Sequence, residues 1–424
     1  MKKRFAICST IVLLLLLSAC GAPQTLDFSY APEGEELSFL MVETSQTHRA
    51  ELEHVPSAAD FADAISDDPA SAGLLSESEV ESLLRGHAAM ETVSKEQAQS
   101  DVSLLFRTLQ SAYGAYEYFG QEKFDAAEDA VTQWLSSQDD EIKVSALGEK
   151  LQESLAFMLA HDAHAVIYEP ATEEIEAQVR YEYFFADGFY FSKDVNGSYY
   201  MVNDGERWTL SSFSDEHVSV QPTLLQDGRI VYQPTLFALR KDAVQSSVTL
   251  KNSSGKAKIY RLDWTESQPL DVDLGTLDYR LIQEDGLTYV SLRSFVSGTY
   301  DNMLARYARE GAKARGSKAV IYDLRGNVGG SDSWPRKWIQ SFLGTQNSIE
   351  TSMLYAQKNS ALFAAENSES LLPEDEGTCF AREVHGTWYE NDIPIIVLVD
   401  DHCGSSGEGA VQLLKTLDNV LVVG

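Results

Sequence analysis

The sequence predicts an α+β protein of several domains: a helical unit, then an antiparallel β unit, then an α/β core. Three observations carry that prediction. Apolar residues recur at helical spacing over 96–175, and short aromatic and β-branched runs broken by Asp-Gly and Asn-Gly pairs fill 176–275. Strand-length and helix-length patterns then alternate over 276–424. The 424 residues suffice for two or three domains, and 44% hydrophobic against 23% charged residues exclude wholesale disorder. The charge is lopsided, 33 Lys+Arg against 65 Asp+Glu, a formal −32 that would repel nucleic acid. Four cysteines are too few for a disulfide scaffold.

The first twenty residues have the layout of an export signal. Lys2, Lys3 and Arg4 precede an apolar run over 11–17, which is short for a bilayer span. Leu17, Ser18, Ala19, Cys20 and Gly21 resemble a bacterial lipobox, in which the Cys20 thiol is lipidated and the chain cut before it. On this reading 1–19 is a lipoprotein signal peptide. The protein is then lipid-anchored to the cell membrane on its extracytoplasmic side, where disulfides persist. An ordinary secretory peptide or an N-terminal membrane helix is the alternative. Residues 20–95 carry recurrent acids and little periodicity, and read as an acidic flexible tether with a short helix within 76–90. His48, His54 and His87 are expected to be solvated there.

In the helical unit, Ser100-Asp101 offers an N-cap for Val102, Leu105, Leu109, Tyr113 and Tyr116. Helices follow over 122–134 and 144–159, the second with Leu147, Leu151, Leu155 and Met158 on one face. The Tyr-rich run over 113–119 reads as core and hinge packing. In the β unit, Asp187-Gly188, Asn196-Gly197, Asp204-Gly205 and Asp227-Gly228 have hairpin chemistry. No ligand follows for it, and no carboxylate-binding loop of the PDZ kind is evident. In the core, strands are expected over 287–292, 319–324, 393–399 and 420–423, and helices over 301–311, 334–343 and 407–414. The alternation implies largely parallel pairing, with a long irregular stretch before 393. Gly424 directly follows an apolar run, which suggests a fragment of a longer chain.

Three segments could carry chemistry. Asp400-Asp401-His402-Cys403-Gly404-Ser405-Ser406-Gly407-Glu408 lies between a strand and a helix. A serine there is exposed at a sheet edge near free N–H groups and the positive helix end, although Ser405 or Ser406 with Glu408 also makes an ordinary capping box. Asp323-Leu324-Arg325-Gly326-Asn327-Val328-Gly329-Gly330-Ser331 again follows a strand. Its glycine pair could turn N–H groups outward as an anion nest, or could form a tight turn with Asp323 and Arg325 paired. A phosphate loop is disfavoured because GxxxxGK[ST] is absent. His161-Asp162-Ala163-His164 ends the helical unit and could supply a base, or two metal ligands lacking a third.

Together these segments resemble peptidase family S41, the carboxy-terminal processing and tricorn-like proteases. DLRGNVGGS looks like that family's DLRxNxGG segment, CGSSGEGAVQLL like its [ST]ASxxE segment, and AHDAHAVI like the DGHT-type segment of the tricorn-like branch. The strand over 287–295 looks like its GYIxLxxF strand. The likeness covers about 100–175 and 280–424 and leaves out the β unit. It implies a core of the ClpP/crotonase-like kind and a serine endopeptidase acting on peptide or protein substrates without a cofactor or metal. Carried over, the nucleophile is Ser405 and the base His164. The oxyanion hole is Gly329 or Gly330 together with Ser406. Ala163 departs from the family's glycine or serine at that place. A third catalytic group, a lysine in one branch or a glutamate in the other, is expected beyond Gly424.

Rival readings remain. An α/β-hydrolase esterase needs a glycine where Cys403 stands and a histidine after Ser405, and neither is present. Cys403 beside His402 is a conceivable thiol nucleophile, and Cys403 could instead pair with Cys379 in a disulfide. A surface peptide-binding protein with a decayed protease fold would have lost Ser405 or His164, and both are present.

Overall fold

The computed structural model describes residues 37–85, 90–162, 164–167, 181–186, 188–203, 205–225, 229–239, 246–266, 279–298, 301–400 and 402–424. Two compact units result, one built on 181–268 and the other on 41–180 with 269–424. The lipobox and Cys20, His87 and the Asp227-Gly228 turn lie outside the described residues. Among the described residues no helix is long and apolar enough to cross a membrane.

The first unit is antiparallel throughout. One sheet runs in the order Ala257–Leu262, Ser246–Asn252, Glu206–Phe213, Tyr199–Asn203, Ser192–Lys193. The other runs Trp264–Glu266, Tyr181–Ala186, Ile230–Leu239, Val218–Leu224. Alternate residues such as Phe184, Met201, Trp208, Tyr232, Val248 and Leu250 meet in one core, as period-two burial requires. At Asn196-Gly197 the turn is closed by Asp194 Oδ1, which accepts the N–H groups of Asn196 and Ser198. Gly197 takes φ 79°, where a glycine is the natural occupant.

The helical part of the second unit packs Val102, Phe106, Phe124, Val131, Leu135 and Met158 together. Its first helix, Lys95–Ala112, starts earlier than expected. Ser94, not Ser100, is the N-cap and accepts the Gln97 N–H. The ribbon of Thr92–Ser94 with Glu141–Lys143 delivers the chain to that point, and a solvent-facing first turn hid it from apolar periodicity. The expected 144–159 helix breaks at Leu155 into Val144–Ser154 and Ala156–Leu159.

The flexible tether expected over 20–95 is corrected where it is described. Leu37–Glu53 is a helix whose Met41, Ser45, His48 and Leu52 recur at four, three and four residues and are all buried. The acids that suggested a solvated spacer lie on other faces or hold partners. Glu51 pairs with Lys415, Asp68 with Lys358 and Glu79 with Arg107. The segment lies on the core: Ser45 Oγ accepts the Asn419 N–H at 2.8 Å, and Ser352 Oγ donates to the Leu52 carbonyl. His48, expected in solvent, is buried, whereas His54 is exposed. The short helix expected within 76–90 is Glu77–Leu84, with Ser76 and Glu79 as a capping box.

The core sheet has the order Arg280–Glu284, Leu287–Ser291, Ala319–Asp323, Ile395–Leu398, Val420–Val423. Only the first strand is antiparallel to its neighbour. The helices Asp301–Ala314, Ser333–Leu343 and Ser406–Leu414 cover the sheet through Leu304, Tyr307, Trp338, Ile339, Leu413 and Leu414. The chain is therefore α+β and multi-domain. The stretch read as irregular holds a hairpin, Met353–Lys358 with Cys379–Val384, and the helix Ala361–Glu366. Most hairpin residues are exposed or half-buried, so no strong apolar alternation announces it.

Candidate active site

The carboxyl ends of adjacent parallel strands are where an open α/β sheet presents its loops. Asp323 and Leu398 sit opposite one another in register, so the glycine-rich loop and the serine loop leave the sheet side by side. Asp323 is fully buried and anchors the first loop. Its carboxylate accepts from Arg325 Nε at 2.9 Å and Nη2 at 2.8 Å, and from Tyr289 Oη at 2.7 Å. Arg293 adds a further ion pair at 3.3 Å. Burial alone would raise this carboxyl, but the bonds from Arg325 and Tyr289 outweigh it and hold it down to about 2. The local Asp323–Arg325 pair read in the sequence is formed, and the glycine pair follows it in the same loop.

Two residues, Asp400 through its side chain and Asn327 through its backbone, tie the loops together. Asp400 Oδ1 accepts the Gly326 N–H at 2.8 Å across the loops and the His402 N–H at 3.2 Å within its own. Asn327 is fully buried; its backbone carbonyl accepts the Gly404 N–H at 2.9 Å. Both residues lie inside the segments singled out in the sequence, but nothing in their type or spacing distinguished a loop tie from a turn residue.

Ser405 stands at the strand-to-helix turn, exposed, with φ 53° and ψ −119°. An L residue with positive φ is uncommon, and such strained positions cluster at functional sites. Ser405 N–H donates to Glu408 Oε2 at 3.2 Å, the backbone half of the capping arrangement read in the sequence. Ser406 is the buried first residue of the helix, and its N–H has no acceptor among the described residues. Gly329 lies against the turn: a β-carbon there would stand 2.6 Å from Ser405 Cβ and 2.9 Å from the Ser406 nitrogen. Gly330, with φ 137°, has no room for a β-carbon against Phe295 and Val296. Ser405, Ser406, Gly329 and Gly330 therefore come together.

His164 is exposed, and its backbone N–H donates to Asp162 Oδ1 at 2.9 Å, while Tyr113 Oη holds the other oxygen of Asp162. No hydrogen bond joins the His164 ring to Ser405 among the described residues. His402 Nδ1 lies 4.0 Å from Asp400 Oδ2. The disulfide drawn between Cys379 and Cys403 is not formed, and both are free thiols. Cys379 begins the hairpin strand opposite Lys358, with its N–H bonded to Asp67. Cys403 instead packs on the core beneath the serine turn, its Sγ close over Gly407. Burial, aided by Asp400 and Glu408, pushes the Cys403 thiol up to about 12. That removes the thiolate a cysteine nucleophile would need.

A serine at a strand-to-helix turn, faced by a glycine pair and by a helix N-terminus, is an arrangement of serine hydrolases. Residues 286–424 match the model of peptidase family S41, which supports a serine peptidase. A solved structure of the photosystem II D1 C-terminal processing protease is similar to 78% of this chain and 80% of its own, at 13% identity and a TM-score of 0.29. No curated protein matches the chain.

Proposed function

We propose that this peptidase is a lipid-anchored, extracytoplasmic endopeptidase that cleaves polypeptides through an acyl-enzyme on Ser405. The observation that carries the reading is the backbone of Ser405, an exposed serine at φ 53° against Gly329. Ser405 Oγ attacks the scissile carbonyl carbon and yields its proton to a base. The carbonyl oxygen takes up negative charge opposite the outward N–H groups of the glycine turn and of Ser406. The base returns the proton to the departing amine, and water then repeats the sequence and frees the serine. The base is assigned to His164, on its match to the histidine segment of the tricorn-like branch. The anchor rests on the run from Leu17 to Cys20.

In the full-length protein, Ser405→Ala should abolish peptide hydrolysis and labelling by a fluorophosphonate, with the thermal melt unchanged. His164→Ala should nearly do the same to hydrolysis. A fully active Ser405→Ala protein overturns the serine mechanism. An active His164→Ala protein moves the base elsewhere. Mass spectrometry of the mature N-terminus should find a lipid on Cys20, and Cys20→Ala should release the protein from membranes or leave it unprocessed.

A further inference from the structure

We infer that Asn327 is the positioning residue that sets which glycine amide faces the substrate, taking the Gly329 N–H out of use and leaving that of Gly330. The inference rests on the Ser405 mechanism above and assigns one of its two oxyanion donors. Asn327 uses every polar group it has. Its Nδ2 donates to the Leu292 carbonyl at 2.8 Å, and its Oδ1 accepts the Gly329 N–H at 2.9 Å. Its own N–H donates to the Leu324 carbonyl at 2.9 Å. Its own carbonyl takes the Gly404 N–H, one residue before Ser405, at 2.9 Å.

The next residues run alongside Phe295. The Gly329 carbonyl accepts the Phe295 N–H at 2.7 Å, and the Ser331 N–H donates to the Phe295 carbonyl at 2.9 Å. In the trans peptide between Gly329 and Gly330 the C=O and N–H point in opposite directions, so with the Gly329 carbonyl on Phe295 the Gly330 N–H points to the edge away from it. It has no acceptor among the described residues, and neither has the Ser406 N–H. The Gly329 N–H is already spent within its own loop. Gly330 and Ser406 are then the pair left to receive a developing oxyanion. Without the Asn327 carboxamide, the buried Gly329 N–H would be left unsatisfied, and the peptide could turn about the glycine pair to satisfy it. That rotation would carry the Gly330 amide with it.

The test uses the full chain, fluorescein-labelled casein and a fluorophosphonate. The phosphonyl oxygen needs the same donors as the oxyanion but no peptide subsites. Asn327→Leu keeps the size and removes both side-chain bonds. It should lower kcat on casein and the phosphonylation rate together, by about 100- to 1,000-fold, while KM stays within about threefold. Asn327→Ser retains a hydroxyl able to accept the N–H two residues on, and should recover at least about tenfold of both rates. A raised KM with kcat kept, or wild-type phosphonylation in Asn327→Leu, overturns the inference. If Asn327→Leu does not fold, Asn327→Ser decides alone: both rates must fall with KM unchanged. Failure of the serine mechanism reads differently, since Ser405→Ala would then stay active whatever Asn327 does.

Discussion

Gly329 and Ser405 touch through a gap that only a hydrogen atom fits, the β-carbon that Gly329 lacks falling 2.6 Å from the β-carbon of Ser405. The contact joins the ends of two parallel strands whose loops are otherwise tied by the Asp400 side chain and the Asn327 carbonyl. The position of the serine is therefore set from across the site as well as by its own helix.

Gly329→Ala should be the most damaging small substitution in this region. It demands both space that the serine loop occupies and φ 99°, which L residues avoid. Peptidase activity should fall by about 100-fold or more, because the added β-carbon displaces Ser405 and with it the neighbouring Gly330 and Ser406 donors. Stability should fall by about 1–3 kcal/mol. Steady-state kinetics and denaturant unfolding read the two separately.

The buried His48 should make the N-terminal helix acid-sensitive. Burial, aided by Lys415 and opposed by Glu51, lowers its imidazole from 6.5 to about 4. The folded state thus prefers neutral His48. Its contribution is whole above pH 6.5 and is lost as the pH falls through about 4, on the order of 3 kcal/mol in all. His48→Gln, which cannot be charged, should lose less stability between pH 7 and pH 4.5 than the wild type. Equal losses would show that the helix does not report on this ring.

Asp323→Asn should leave Arg293 and Arg325 without their buried countercharge. Breaking such a pair costs about 3–5 kcal/mol, measurable as a lower denaturation midpoint at pH 7. The carboxyl is held down to about 2, so the stability from its charge is present above about pH 4 and lost as the pH falls toward 2. The difference between wild type and Asp323→Asn should shrink over that interval.

Both thiols should be found free. Peptide mapping without reductant should show no Cys379–Cys403 link, and iodoacetamide at pH 8 should leave Cys403 largely unmodified in the folded protein. Cys403→Ala should retain peptidase activity. Inactivation by Cys403→Ala with an unchanged melt would reopen the cysteine as a participant.

Much of the core was legible because its signals are strong. The buried strand over 319–323 and the helix opening at Ser406 show plain apolar periodicity, and the two loops between them carry unusual glycine and serine runs. The N-terminal helix was not legible. Met41, Ser45, His48 and Leu52 include two polar residues, so the buried face reads as a surface until its partners are known. The hairpin of 353–384 failed for a related reason, since its strands bury little. At the site, residue types pointed to Ser405, Ser406 and the glycine pair. The roles of Asn327 and Asp400 depend on bonds between loops some 74 positions apart in the chain, which local pattern does not encode.

The seating of the N-terminal helix bears on the order in which the molecule is assembled. Ser45 and Glu51 bond to Asn419 and Lys415, partners 374 and 364 positions later in the chain. A segment synthesised early must wait, exposing the face of Met41 and Leu52, until the serine-bearing helix has been made and has found its sheet. Contacts of such separation form late and slowly. The helix that begins at Ser406 thus gains its rear support only once Lys415 and Asn419 have followed it, and a chain made short of them would lack a steady nucleophile with which to attack its neighbours.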